Sequence, residues 1–158
     1  MKIFLVRHAK SSWKNISLDD HERPLSKRGI SDAILMRKYL IGLNVNFEKI
    51  LCSSSVRTKQ TLDLLIDNID QYNGIQYLDE LYHASADHLK KIINNLNDDK
   101  NYMIISHNPG ITNFINFIDA SIGNIATSIG IIASSIGNIA PSIGSIASSI
   151  GIVGPGVA

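Results

Sequence analysis

Three short apolar runs lie far apart in the chain: Ile3-Phe4-Leu5-Val6, Ile50-Leu51-Cys52 and Tyr102-Met103-Ile104-Ile105. Each ends in polar residues suited to chemistry. The first gives way to Arg7-His8-Ala9, the second to Ser53-Ser54-Ser55-Val56-Arg57-Thr58, and the third to Ser106-His107-Asn108-Pro109-Gly110. Continuous apolar runs of this length read as strands buried on both faces, the signature of a parallel sheet. Open α/β sheets bind ligands beyond the carboxyl ends of their strands. Two histidines and two arginines are therefore expected to converge on one crevice, and the natural guest is a phosphoryl group. A guanidinium fork matches its oxygens, and imidazole can attack phosphorus or donate to it.

The intervening segments supply the rest of an α/β pattern. Lys2 to Val6 reads as the first strand, followed by a polar loop through Pro24. Ser26 is placed to cap a helix running to about Ile41, with Ile30, Ala33, Ile34 and Tyr39 to Ile41 as its apolar positions. A strand over Lys49 to Cys52 precedes a helix from Val56 to about Ile69, with Leu62, Leu65, Ile66 and Ile69 on one face. A third strand, Ile75 to Leu78, leads into Asp79-Glu80-Leu81-Tyr82. Ser85 then caps a helix over Ala86 to Leu96, and Tyr102 to Ile105 is the fourth strand. This alternation implies a three-layer α/β/α sandwich around a mostly parallel central sheet.

With 158 residues the chain is long enough for one domain with a real core. Fifteen basic and fourteen acidic residues leave a net charge of +1, so no global field favours nucleic acid or an anionic membrane. The single Cys52 excludes an internal disulfide, fits a reducing compartment, and reads as a buried, inert thiol. The apolar stretch after Lys2 is too short for a signal peptide, which makes the cytoplasm the expected location.

No charged residue stands beyond Asp119. The chain therefore divides into an α/β domain over 1–119 and a low-complexity tail over 120–158. The tail repeats a seven-residue unit that begins Ser-Ile-Gly-Asn-Ile-Ala-Thr. Its isoleucine spacing of three and four mimics a coiled-coil seam, but a glycine in every unit and Pro141 work against a continuous helix. The run of about 18 or more apolar residues that a membrane span needs is absent. A last strand near 124–133 is the structure this tail is expected to supply. The remainder is expected to add nothing to the site and to promote self-association of an otherwise monomeric protein through short β segments.

The motifs Leu5-Val6-Arg7-His8-Ala9-Lys10-Ser11, Asp20-His21-Glu22-Arg23-Pro24-Leu25-Ser26-Lys27-Arg28-Gly29, Ser53 to Thr61 and Ser106 to Gly110 occur in the order found in the histidine phosphatase superfamily. Over residues 1 to about 118 the chain resembles that superfamily, and more closely its compact SixA-type phosphohistidine phosphatase branch. The resemblance implies a phosphoglycerate-mutase-like fold and a metal-independent hydrolase without a cofactor. It also implies a covalent phosphohistidine intermediate on His8. Arg7 and Arg57 would hold the phosphoryl oxygens, and His107 would donate to them as charge shifts in the transition state. Glu80 corresponds in context to the family's proton donor, with Asp79 next to it as an alternative. Ser11 and Ser12 are placed either to contact phosphate or to turn the loop.

Larger superfamily members carry insertions that roof the site. Here one short helix uses most of the interval from Asp79 to Asn101, so an open site and a phosphohistidine-bearing protein substrate are expected. A phosphatase for small phosphomonoesters, or a phosphate-binding scaffold inactivated by its carboxyl-terminal region, are the alternatives. Other polar residues have plainer readings. Arg23 is expected in an ion pair with Asp20 or Glu22, and His21, His83 and His88 as surface groups. Trp13 is expected either to wall the pocket or to pin its loop to the core. Five histidines without a cysteine partner or a His-x-x-x-His pattern give no metal signature.

Overall fold

The computed structural model describes residues 2–66 and 74–121, with side chains to Ile118. Four strands, β1 (Lys2–Arg7), β2 (Lys49–Ser53), β3 (Ile75–Leu78) and β4 (Asn101–Ser106), form one sheet in the order β1, β4, β2, β3, and every pairing is parallel. Among the described residues four helices flank it: α1 (Lys27–Gly42), α2 (Val56–Leu65), α3 (Ala86–Asn94) and α4 (Gly110–Ser121). The layers follow from the two-residue period of the strands. Phe4, Val6, Ile50, Cys52, Met103 and Ile105 face α1 and α2 and pack with Met36, Leu62, Leu65 and Ile66. Ile3, Leu5, Leu51 and Ile104 face α3 and α4 and pack with Leu89, Ile93, Ile111 and Phe114. This is the expected three-layer α/β/α sandwich, with apolar burial on both faces of a parallel sheet.

Both expected serine caps are present. Ser26 Oγ accepts from the Gly29 amide at 3.0 Å and Ser85 Oγ from the His88 amide at 3.2 Å. The apolar face of α1, however, differs from the expected stripe: Ile30 and Ile34 are exposed, while Gly29, Ala33 and Met36 are buried. The reason lies at Gly29. A Cβ there would fall on the Lys10 carbonyl oxygen, so the helix can approach the loop after β1 only with Gly29 turned inward, and this sets its rotation. Helix α2 ends at Leu65, short of the expected Ile69. Ile66 takes an extended backbone while its side chain stays in the core. Ile69 lies outside the described residues.

Helix α4 is an addition to the expected elements; Ile111, Phe114, Ile115 and Ile118 carry the helical spacing that seats it on the sheet. It starts against the segment that follows β3. A Cβ on Gly110 would strike the Ala84 carbonyl oxygen, which makes glycine necessary for this approach. The buried Ser106 hydroxyl draws the same segment in, donating to the Leu81 carbonyl at 2.7 Å. The repeat from 122 onward, with its expected strand near 124–133, lies outside the described residues.

Gly110→Ala is expected to destabilise the domain by roughly 1–3 kcal/mol, because the added methyl must push α4 or the Ala84 turn away. Thermal or denaturant unfolding checks this, with Gly42→Ala as the control, since a Cβ at Gly42 meets nothing within 4 Å.

Candidate active site

The site is set by strand register. Arg7 pairs with Ser106 across β1 and β4, and the His8 amide extends the ladder by donating to the Ser106 carbonyl at 3.1 Å. The residues that follow, His8 and His107, therefore leave the sheet side by side with ring centroids 5.0 Å apart. Arg57, in the first turn of α2, reaches the same place from the end of β2. Its Nε donates to His8 Nε2 at 3.3 Å, and its Nη2 lies 3.3 Å from His107 Nδ1. His8, His107 and Arg57 thus come together in one place. The Arg7 guanidinium makes no hydrogen bond among the described residues, but its charge acts on His8.

Hydrogen bonds define the tautomers. His8 Nδ1 lies 2.7 Å from the Ala9 carbonyl oxygen, which can only accept, so Nδ1 carries the proton and the Nε2 lone pair points into the site. At His107 the relation is reversed. Nδ1 faces the guanidinium of Arg57, which can only donate, and Nε2 meets Ser53 Oγ at 2.9 Å. Facing Arg57, His107 Nδ1 is therefore an acceptor, and it can donate to a phosphoryl oxygen only after gaining a proton.

Burial, with Arg57, Arg7 and Arg23 adding to it and the Ala9 hydrogen bond opposing it, pushes His8 down to about 4. Burial and the neighbouring His8 and Arg57 push His107 down to about 2. Both rings are neutral at physiological pH.

A residue not singled out for the site organises its charges. Asp20, in a 3-10 turn over Asp20–Glu22, takes Arg57 Nη2 at 2.8 Å and Arg23 Nη1 at 2.5 Å. Tyr82 Oη donates to the same carboxylate at 2.7 Å, and His83 Nε2 lies 3.3 Å away. The Asp20 carbonyl oxygen accepts from Arg57 Nη1. Burial opposes ionisation, but the bonds from Tyr82, Arg57 and His83 outweigh it and hold the carboxyl well below the usual range. One carboxylate is thus shared by Arg57 and Arg23, and Arg7 adds a further positive charge acting on His8, leaving a positive excess for an anionic guest. In sequence, the only signal of this role was the position of Asp20 three residues before Arg23.

Other expectations resolve as follows. Arg23 makes the expected ion pair with Asp20, yet it is buried and also donates from Nη2 to Ser11 Oγ at 2.6 Å. Ser11 thus holds an arginine and forms a bridge to Leu25 that turns the loop. Trp13 is not pinned to the core: it is 71% exposed, with the Arg23 guanidinium 3.2 Å over its ring. His88 is a surface group. His21 is less free, meeting Ser54 Oγ at 3.0 Å through Nε2. His83 is exposed as expected, and its ring also stacks on His107 at 5.3 Å. Glu80, in a 3-10 turn over Asp79–Leu81, is exposed, and its carboxylate meets His88 Nε2 at 3.4 Å. It makes no hydrogen bond to His8, Arg57 or His107 among the described residues. Cys52 is buried, with its thiol pushed up to about 12 by burial.

The family model for the histidine phosphatase superfamily, branch 1, matches residues 3–91, a span that holds Arg7, His8, Arg57 and Asp20. The chain belongs to that superfamily. An uncharacterized chloroplastic protein of Arabidopsis thaliana is 34% identical over 119 residues, covering 69% of this chain and 55% of that protein. The phosphohistidine phosphatase SixA of Escherichia coli K12 is 32% identical over 81 residues, covering 51% of this chain and 49% of SixA. The chain thus matches about half the length of these relatives. Among solved structures, a protein from Agrobacterium tumefaciens provisionally named SixA superposes with a TM-score of 0.66 at 25% identity, covering 77% of each chain. A protein histidine phosphatase SixA complexed with tungstate superposes with a TM-score of 0.61 at 25% identity, covering 72% of this chain and 73% of that one. No helix among the described residues is long and apolar enough to cross a membrane.

The two lowered histidines predict how this member of the histidine phosphatase superfamily responds to acid. Below the ordinary value of 6.5 the unfolded chain protonates both rings while the folded one keeps them neutral. Stability is therefore full above pH 6.5 and falls as pH drops toward 4, with a slope of up to about 1.4 kcal/mol per pH unit for each ring. Denaturant titrations across that range, compared with His107→Asn, measure the effect.

Proposed function

We propose that the chain is a phosphohistidine phosphatase that acts on a phosphorylated protein through a covalent phosphohistidine intermediate on His8. The observation that carries this reading is the His8 ring. Its Nδ1 is tied to the Ala9 carbonyl and its Nε2 lone pair is directed at the arginine-lined space, so a neutral nucleophile faces the place where a phosphoryl group would be held. Nε2 would attack phosphorus while Arg57 Nε–H shifts from the ring to a phosphoryl oxygen, and Arg7 would take another oxygen. His107, drawing a proton as the negative charge arrives, would donate to the transition state. No metal or cofactor enters these steps.

Two observations support a protein substrate. The SixA relatives carry phosphohistidine phosphatase in their names. Between β3 and β4 only a 3-10 turn and α3 intervene, leaving the mouth unroofed by that segment. Beside it, Trp13 and Ile16 are 71% and 93% exposed on the loop that Arg23 anchors, giving apolar surface to a partner next to the site.

The test is turnover of a phosphohistidine peptide beside a generic phosphomonoester, with neutral quenching to trap the intermediate. An acid-labile, alkali-stable label is expected on the wild-type chain and not on His8→Ala; label persisting in that variant overturns the assignment. Arg57→Ala and His107→Ala are each expected to lower turnover by roughly a hundredfold, the usual effect of removing a preorganised transition-state contact. Faster turnover of the phosphomonoester than of the phosphohistidine peptide would favour a small-molecule phosphatase.

A further inference from the structure

We propose that His83 is the catalytic residue that protonates the leaving atom and then deprotonates the attacking water, a role that rests on phosphoryl transfer through His8. The carboxylates near the site are poorly suited to it. Glu80 turns to His88, and Asp20 is an ionised acceptor held by Arg57, Arg23, Tyr82 and His83. The Tyr82 hydroxyl proton is committed to Asp20.

His83 is built into the mouth. Its ring lies nearly parallel to His107, 5.3 Å away with planes at 21°, and Tyr82 packs edge-on at 4.3 Å. Nε2 is directed at Asp20 Oδ2, while Nδ1 makes no hydrogen bond among the described residues. The side chain is 53% exposed, so it is open to a substrate seated over His8 and His107.

The backbone supports the same placement. His83 has φ of 52°, in the left-handed region that few residues other than glycine adopt. The turn is held on either side, by Ser106 Oγ on the Leu81 carbonyl and by Gly110 against Ala84. A non-glycine residue kept in such a conformation by its surroundings is a recurrent feature of functional sites.

The steps balance. In the first, His8 Nε2 forms a bond to phosphorus and the bond to the leaving atom breaks. The electron pair goes to that atom, which takes the Nδ1 proton of protonated His83. In the second, Nδ1 takes a proton from water as its oxygen attacks phosphorus. The bond from phosphorus to His8 breaks, its electron pair returns to Nε2, and phosphate leaves with both histidines restored. Asp20 accepts from Nε2 throughout and orients the ring. The charged or titratable groups facing His83 are Asp20 on the 3-10 turn, His107 at the start of the loop before α4, and Tyr82 on its own segment; Arg57 acts through Asp20.

The test uses the full chain with His83→Asn, since asparagine also tolerates the left-handed backbone. The readout is the single-turnover rate of phospho-His8 formation from a phosphoserine peptide and from p-nitrophenyl phosphate. The serine alkoxide needs a proton and nitrophenolate does not. A loss of about a hundredfold on the peptide, with less than about threefold on the nitrophenyl ester, is expected for a missing general acid. His83→Gln should behave alike, and the melting temperature of both variants guards against misfolding. Equal losses on both substrates, or none, overturn the proposal. So does the same leaving-group-dependent loss appearing in Glu80→Gln in place of His83→Asn. If the wild-type chain forms phospho-His8 from a phosphohistidine peptide but from neither of these esters, the acid role of His83 is overturned; if it forms none from any of the three, the failure lies instead with the reading of His8 as nucleophile.

Discussion

The parallel pairing of β1 with β4 is the constraint on which the site depends. The two strands are distant in sequence, yet the register that opposes Arg7 to Ser106 makes His8 and His107 neighbours. A slip of one residue would turn Phe4 and Val6 away from α1 and α2 and exchange the contents of the two core faces. The packing that stabilises the sheet therefore also positions the nucleophile. Apolar burial on both faces gives the register its energy, and the polar residues just beyond the strand ends inherit the alignment.

Charge management is the second organising feature. Arg57 and Arg23 are buried, and burying a guanidinium is costly unless its donors are met. Asp20 meets donors from both with one carboxylate and its own carbonyl oxygen. Tyr82 and His83 add two more bonds from the segment after β3, so the 3-10 turn, α2 and the His83 turn are joined at one anion. A phosphoryl group entering this site would meet arginines already oriented, with less reorganisation to be made at the moment of reaction.

Legibility in the sequence followed the range of the interactions involved. The strands, the serine caps and the chemical residues at strand ends were readable because period, capping and polarity are local properties. The rotation of α1 was not, because Gly29 is turned inward by the Lys10 backbone, a contact that the helical stripe does not encode. Helix α4 has helical spacing at Ile111, Phe114, Ile115 and Ile118, but this short signal sits between the Asn-Pro-Gly turn and the repeat, which obscure it. Asp20 and His83 looked like ordinary polar residues, because neither occupies a strand end.

The sequence by itself determined that apolar runs would build a parallel sheet, that helices would cover both of its faces, and that Arg7, His8, Arg57 and His107 would gather at one edge. These follow from burial and from the fixed polarity of parallel strands. Only the tertiary structure decided which nitrogen of each histidine faces the site, which anion holds the arginines, and that His83 lies over His107 while Glu80 turns to His88. Those outcomes depend on hydrogen bonds and close backbone approaches between segments remote in the chain, and their geometry exists only once the core has packed.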